Sequence, residues 1–499
     1  MRWRVGLMVF GVVFLWVALA GASEEGRAPL SEATRTCLAC HRMVTPGIVA
    51  DWERSLHAQT TPEEALEKPA LSRRISAQKV PEDKKAVAVG CAECHTLNPD
   101  SHKDTFDHND FKVHVVVTPT DCQTCHPQEV QEYQRNLMAK AYRNLKKNPV
   151  YHGLLETSLG PQKFEKDQLV YLPSHELTQA DACLSCHGTR VEVKGMALRE
   201  TPMGEMSFPI LSGWPNQGVG RINSDGSEGA CTSCHPRHSF SIEIARKPYT
   251  CAQCHKGPDV PAYKVYVVSK HGNIFKSQGK HWNWKAVPWT VGKDFTAPTC
   301  ATCHASLLVD PNGTVIAQRT HQFNDRLAWR IFGLIYAHPH PKEADTTIIK
   351  NKAGLPLPTE LTGEPVANYL IDQAEMSRRE ARIKTVCSAC HATGWVEGFF
   401  IRFHKTIETT NQQTLAATQM MLTAWKEGLA QGLPSSIFDE ALEKMWVETW
   451  LFYANSVRFA SAMAGADYGA FANGRWYLNK NLQAMRDWLE FKRAVKKLK

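Results

Sequence analysis

The stretch Cys231–His255, CTSCHPRHSFSIEIARKPYTCAQCH, holds two copies of Cys-x-x-Cys-His twenty residues apart. Reading outward, the pattern recurs at Cys37-Cys40-His41, Cys91-Cys94-His95, Cys122-Cys125-His126, Cys183-Cys186-His187, Cys300-Cys303-His304 and Cys387-Cys390-His391. With Cys231-Cys234-His235 and Cys251-Cys254-His255 that makes eight copies, and they use all 16 cysteines. Two thiols three positions apart can each form a thioether to a haem vinyl group, and the adjoining imidazole then reaches the iron as proximal ligand. Paired zinc knuckles are the rival reading, but zinc has no use for a His after every second Cys. A disulfide framework would not repeat one spacing eight times. The expected cofactors are therefore eight c-type haems with iron.

The ends of the chain carry different signals. Arg2 and Arg4 precede an apolar run, Val5 to Ala22, closed by Ala20-Gly21-Ala22, which fits an exported protein with a signal peptide at 1–22. An uncleaved anchor is the alternative, since the run approaches the length that spans a bilayer. Either way the haem-bearing part is exported, and a periplasmic location with at most loose membrane association is expected. The formal charge of +8 is no nucleic-acid footprint. Basic residues are dispersed rather than striped, and eight haems would add about sixteen propionate charges.

From residue 23 to 404 the motifs recur at intervals of 20 (Cys231 to Cys251) to 87 residues (Cys300 to Cys387), among turn formers. With hydrophobic residues at 43% and no long strand alternation, the haems must supply much of the core. The expected fold is mainly α: a multihaem cytochrome c with a haem-packed core and little strand. The insert Gly188–Ala230 reads as a structured loop. From 405 to 499 there is no cysteine, and apolar residues recur at helical spacing, as in Leu415, Met420, Met421, Trp425 and again Leu442, Trp446, Trp450. Ser436 and Asp439 resemble a capping box, and Gly465 and Gly474 break the pattern before a last helix to about Lys497. A C-terminal three-helix oligomerisation module follows from this.

Of 21 histidines, thirteen are not proximal. A haem with two imidazoles passes electrons, whereas one with an open face can bind substrate. The distal candidates are His57, His108, His114, His152, His175, His238, His281, His321 and His404; His102, His338 and His340 complete the pool beside His271. His238, three residues after His235, cannot reach its own haem's far face and suits a neighbouring haem.

The string running from Cys231 through His271, with WNW at Trp282–Trp284, APTCATCH at Ala297–His304 and Trp395 after the last motif, resembles the octahaem hydroxylamine oxidoreductases. The likeness extends from about Cys37 to the C-terminal helices. It implies an open catalytic haem on Cys231-Cys234-His235, with Asp259 and His271 over the iron as an acid/base pair and Tyr336 as a further distal residue. It also implies a homotrimer, a small nitrogen substrate, and a cytochrome or quinone-linked redox partner. In oxidising members a Tyr of a neighbouring subunit is joined to the active haem. Tyr468 falls near that place, but the surrounding glycine- and tryptophan-rich pattern is not reproduced. Three readings stay open: oxidation of hydroxylamine (to nitric oxide or nitrite) or of hydrazine, reduction of nitrite or nitric oxide on the same scaffold, and a non-catalytic electron wire.

Overall fold

A cysteine pair and its histidine share one face when the motif winds into a helical turn, because positions i, i+3 and i+4 are neighbours on a helix. The computed structural model, which describes residues 27–432 and 436–498, shows this repeatedly. Cys91–His95, Cys183–His187 and Cys300–His304 are each short helices. In four other motifs the His N–H donates to the carbonyl of the first Cys: His126 to Cys122 (2.8 Å), His235 to Cys231 (3.0 Å), His255 to Cys251 (2.9 Å) and His391 to Cys387 (3.0 Å). Around these turns lie short helices and small two- and three-stranded sheets, so the fold is mainly helical with little strand. The apolar run at 5–22 lies outside the described residues. Among those described, no helix is long and apolar enough to cross a membrane.

The Gly188–Ala230 insert is more regular than a loop. Strands β1 (Glu192–Thr201) and β2 (Gly204–Ser212) form an antiparallel hairpin. Its alternation was hard to read because most of its residues are exposed on both faces, so no buried side imposes a period. The hairpin stem is zipped back onto the fourth motif: Val219 N donates to Cys186 O (3.0 Å) and Ile222 N to Thr189 O (2.9 Å). Gly188 sits here at φ +94°, and a Cβ on it would come within 2.3 Å of Arg221 N, so no larger residue fits.

The C-terminal part is a packed helical layer. Helix α1 (Thr393–Lys426) runs without a break through His404, so the boundary expected at 404/405 does not coincide with the end of an element. The next helix, α2 (Ala441–Val447), opens on a Glu440/Glu443 capping box rather than at Ser436 and Asp439. It continues through a π-helical segment, Glu448–Ala454, into α3 (Asn455–Met463); α4 (Arg475–Leu498) closes the chain. Trp446, Trp450, Met421 and Met485 are all buried between these helices. Leu334, Ile335, Tyr336 and Leu357, from the haem-bearing part, complete the same core. The helices are thus welded to the haem region instead of standing apart from it.

Candidate functional site: a shared haem cavity

One continuous cavity of about 2070 Å³ is lined by residues of all eight Cys-x-x-Cys-His motifs. Its size and lining match the expectation that haems replace much of the ordinary apolar core. A chain whose interior was built for side chains alone would be close-packed, with few voids larger than a water molecule.

The histidine pairs across it have a telling spacing. An iron between two imidazoles, with metal–nitrogen bonds of about 2.0–2.1 Å, holds the ring centres roughly 6.3 Å apart. The structure places His41 and His108 at 6.1 Å, His57 and His126 at 6.3 Å, His235 and His321 at 6.4 Å, and His271 and His391 at 6.0 Å. Nδ1 of His57, His108 and His321 has no hydrogen-bond partner although it is buried. Such orphaned groups are rare in a finished interior and here fit rings oriented by a bound haem.

His95 has two imidazole neighbours, His114 at 6.0 Å and His238 at 6.4 Å. The Nδ1 of His95 lies 2.7 Å from the backbone carbonyl of His114. Proximal histidines commonly donate that ring N–H to a carbonyl, which leaves the other nitrogen for the metal. His114 is therefore behind His95, and His238 faces it across the gap, as its sequence position suggested. His114 instead stacks on His102 at 3.6 Å; Asp104 and Asp121 flank His102, at 3.7 and 3.2 Å. Burial opposes a charge on His102, but these two carboxylates outweigh it and push the imidazole up to about 9.

Several expected ligands are elsewhere. His152 is half-exposed beside Glu156, His175 caps a short helix by accepting from Leu177 N (3.2 Å), and His281 is exposed. None of the three lines the cavity. His404 faces Glu380, with Nε2 2.8 Å from Oε2. His340 was passed over in the sequence, yet it is buried on the cavity wall with Nδ1 unpaired. Burial, then the cations Arg330 and Arg379, hold it well below its ordinary value, and His304 is among its charged neighbours. No spacing argument in the sequence separates His340 from His338, whose Nδ1 is 2.6 Å from the carbonyl of Pro339.

The residues grouped by resemblance around Cys231-Cys234-His235 do not come together there. His321 occupies the far side of His235, and His271 the far side of His391, because the helix Lys270–Gln278 carries His271 to the eighth motif. Tyr336 is buried in the C-terminal helical core and donates to Leu361 O (2.8 Å), away from the cavity. Tyr468, on the short helix Ala466–Ala470, is part-exposed and does not line the cavity of its own subunit.

Asp259 does line it. Its charge acts on Cys183, Cys186 and His187 of the fourth motif and on His255 of the sixth. Burial pushes His187 below its usual value, a backbone bond to Ala141 opposes this, and the Asp259 carboxylate opposes it further. Asp259 follows His255 by four residues, and its charge reaches both that imidazole and His187 of the fourth motif. Gly257 makes room for it: a Cβ there would meet Asp259 Oδ1 at 2.3 Å. Among the described residues, no imidazole ring stands at the spacing of the other pairs from His187, His255 or His304.

The cavity also holds cations without carboxylate partners. Arg221, almost wholly enclosed, donates to Asn223 Oδ1 (2.6 Å) and Asn216 O (3.1 Å), and its guanidinium and that of Arg237 both lie over the Trp214 ring. A buried cation left with neutral acceptors suits an anionic group brought by the cofactor, such as a haem propionate.

Comparison with known proteins agrees with this lining. A family model described as seven times multi-haem cytochrome CxxCH matches residues 220–326, and one for cytochrome c554 and c-prime matches 121–207. A solved structure described as a hypothetical multiheme protein shares 44% identity, with a TM-score of 0.87 over 94% of this chain and 97% of that one. A probable nitrite reductase–hydroxylamine oxidoreductase fusion protein of Kuenenia stuttgartiensis is 26% identical over 379 residues, 72% of this chain. The chain belongs to the multihaem cytochromes c. It spans only 34% of that Kuenenia relative's length. The reducing HAO-like protein complex of the same organism, at 18% identity and a TM-score of 0.61 over 94% of this chain and 86% of that one, shares the fold. As a member of this family, the chain holds c-type haems, and its cysteine pairs, facing imidazoles and unpartnered arginines fit them.

Proposed function

We propose that the protein is an exported, periplasmic octahaem oxidoreductase of small nitrogen compounds. Its open haem sits on Cys183-Cys186-His187, and the haems held between two axial histidines pass electrons. The observation that carries this reading is Asp259, a cavity carboxylate whose charge acts on Cys183, Cys186 and His187 of the fourth motif, where no imidazole stands at the paired spacing from His187. His340 serves the seventh motif in the same scheme.

When bound, the fourth haem supplies an iron that accepts or donates electrons one at a time. The chain supplies the proton handling. Interconversion of hydroxylamine with nitric oxide or nitrite moves protons as well as electrons, and a positioned carboxylate takes up or returns a proton at the substrate nitrogen or oxygen. Lys256 and Arg330 also line the cavity and act electrostatically on the fourth motif, so cations and a carboxylate share this part of the wall. His271 stands with His391, which leaves Asp259 as the carboxylate for proton handling at this site.

The direction of flow is set by the surroundings of the fourth haem, and Tyr468 is its determinant. If Tyr468 of one subunit joins the active haem of the next in a homotrimer, the enzyme runs oxidatively. If it stays free, nitrite or nitric oxide reduction is the better reading. The test of the site itself is electron paramagnetic resonance with the variant Asp259→Asn. The wild type is expected to show one high-spin iron per chain that binds nitric oxide. Asp259→Asn should keep that signal and lose turnover by ~100- to 10,000-fold, the usual effect of removing an acid/base group. Eight low-spin irons in the wild type would leave only the electron wire.

A further inference from the structure

The π-helical segment Glu448–Ala454 interrupts an otherwise regular helical run at the point where the C-terminal layer meets the cavity. Such segments often occur at functional sites, because the altered winding redirects side chains and carbonyls. Here Leu451 and Phe452 line the cavity, as do Phe459 and Met463 from α3. The packing is tight at the far end of α3 too: a Cβ on Gly465 would lie 2.5 Å from Val265 Cγ1, on the helix that follows Asp259.

Asn455 stands at the junction. It is fully buried, and its Nδ2 donates both to Leu451 O (2.7 Å) and to the backbone carbonyl of Asp259 (3.2 Å). Its Oδ1 accepts from Arg458 Nη1 (3.3 Å). Arg458 is also fully buried and donates to Thr410 Oγ1 (3.0 Å), Asn411 Oδ1 (2.7 Å) and Ile331 O (3.3 Å). Asn411 in turn holds Ala337, accepting from its N–H (3.0 Å) and donating to its carbonyl (2.9 Å). The network thus joins α1, α3, the 331–337 segment and the Asp259 turn, all with buried groups that are costly to leave unpaired.

We propose that Asn455 is a positioning residue for Asp259: it fixes the Pro258-Asp259-Val260-Pro261 turn so that the carboxylate stays over the open haem. This rests on the reading of Asp259 given above. The C-terminal helices are then part of the active pocket within one subunit, besides any role between subunits. A displacement of an acid/base group by about 1 Å costs on the order of 100-fold in rate, so a single lost anchor is enough to be measured.

The substitution that isolates the anchor is Asn455→Asp, which keeps the shape and the contact to Arg458 but removes both N–H donors. Asn481→Asp is the comparator. Asn481 is likewise buried and donates to Met445 O (2.5 Å) and Thr449 Oγ1 (2.8 Å), but it has no bond to the Asp259 turn. The assays are turnover of hydroxylamine with an artificial one-electron acceptor, and the pH midpoint at which the high-spin resonance changes form. In Asn455→Asp, kcat should fall ~100-fold with KM changed far less, and the midpoint should move while all haems remain attached. Asn481→Asp should lose thermal stability but keep the wild-type kcat and midpoint. Normal kcat and midpoint in Asn455→Asp, alongside an inactive Asp259→Asn, would overturn the inference. An active Asp259→Asn would instead remove the reading beneath it. Should Asn455→Asp not accumulate with its haems, Asn455→Ser, which keeps a shorter donor, is put to the same two measurements. A midpoint and kcat between those of the wild type and Asp259→Asn support the inference, and wild-type values overturn it.

Discussion

Replacing His321 with Ala tests the use of ring spacing to assign axial ligands. His321 lies 6.4 Å from His235, ring centre to ring centre. Two metal–imidazole bonds of about 2.0–2.1 Å, each extended by roughly 1.1 Å from nitrogen to ring centre, give about 6.3 Å. The gap is therefore that of a six-coordinate iron, too narrow for a substrate pocket. His321→Ala should open the fifth haem, so that the high-spin resonance rises from one iron per chain to two. The original high-spin species and its nitric oxide complex should persist, because they belong to the fourth haem. Free imidazole should enter the new gap and return the spin count to one. A spin count unchanged by His321→Ala would refute the ligand assignment. Loss of the original high-spin signal would refute the placement of the open face at His187. His271→Ala, by the same logic, should open the eighth haem and leave the nitric oxide-binding species untouched.

The His102 cluster makes stability pH-dependent. The His102 imidazole rises from 6.5 to about 9 in the fold, so the stability it confers is fully present below pH 6.5 and is lost as pH climbs through 9. Melting temperature measured from pH 6 to 10 should fall over that window, and His102→Gln should remove the slope while lowering stability at neutral pH, by about 3–5 kcal/mol if the buried carboxylates stay charged. Trp476 and Phe491 on α4 are 62% and 64% exposed; Trp476→Lys with Phe491→Lys should convert a trimer to monomers in light scattering, whereas an unchanged mass would place the interface elsewhere. Peptide mass spectrometry decides Tyr468: a peptide containing it, joined to the Cys183–Cys186 haem peptide, marks the oxidative type, and free Tyr468 in every subunit marks the reductive one.

Much of this protein is written in its covalent chemistry. Haem attachment needs only Cys-x-x-Cys-His, a local pattern that one helical turn satisfies, so the haem sites, the helical class and the aromatic C-terminal layer could all be read along the chain. Distal ligation is different. The two imidazoles of one iron come from segments as far apart as His271 and His391 or His57 and His126, and no local period encodes which pairs meet. Local sequence therefore does not reveal that His271 meets His391, that Tyr336 joins the C-terminal core, or that His340 lines the cavity. The β1–β2 hairpin hid for a related reason, since with both faces largely exposed it had no buried side to stamp an alternation on its sequence. The same limit explains the active site. Asp259 was recognisable as a residue of interest, but the sequence sets it between the sixth and seventh motifs without saying which motif it faces. Only the fold shows its surroundings: the close approach at Gly257, the fourth motif within reach of the carboxylate's charge, and Asn455 arriving from almost two hundred residues away to bond the turn.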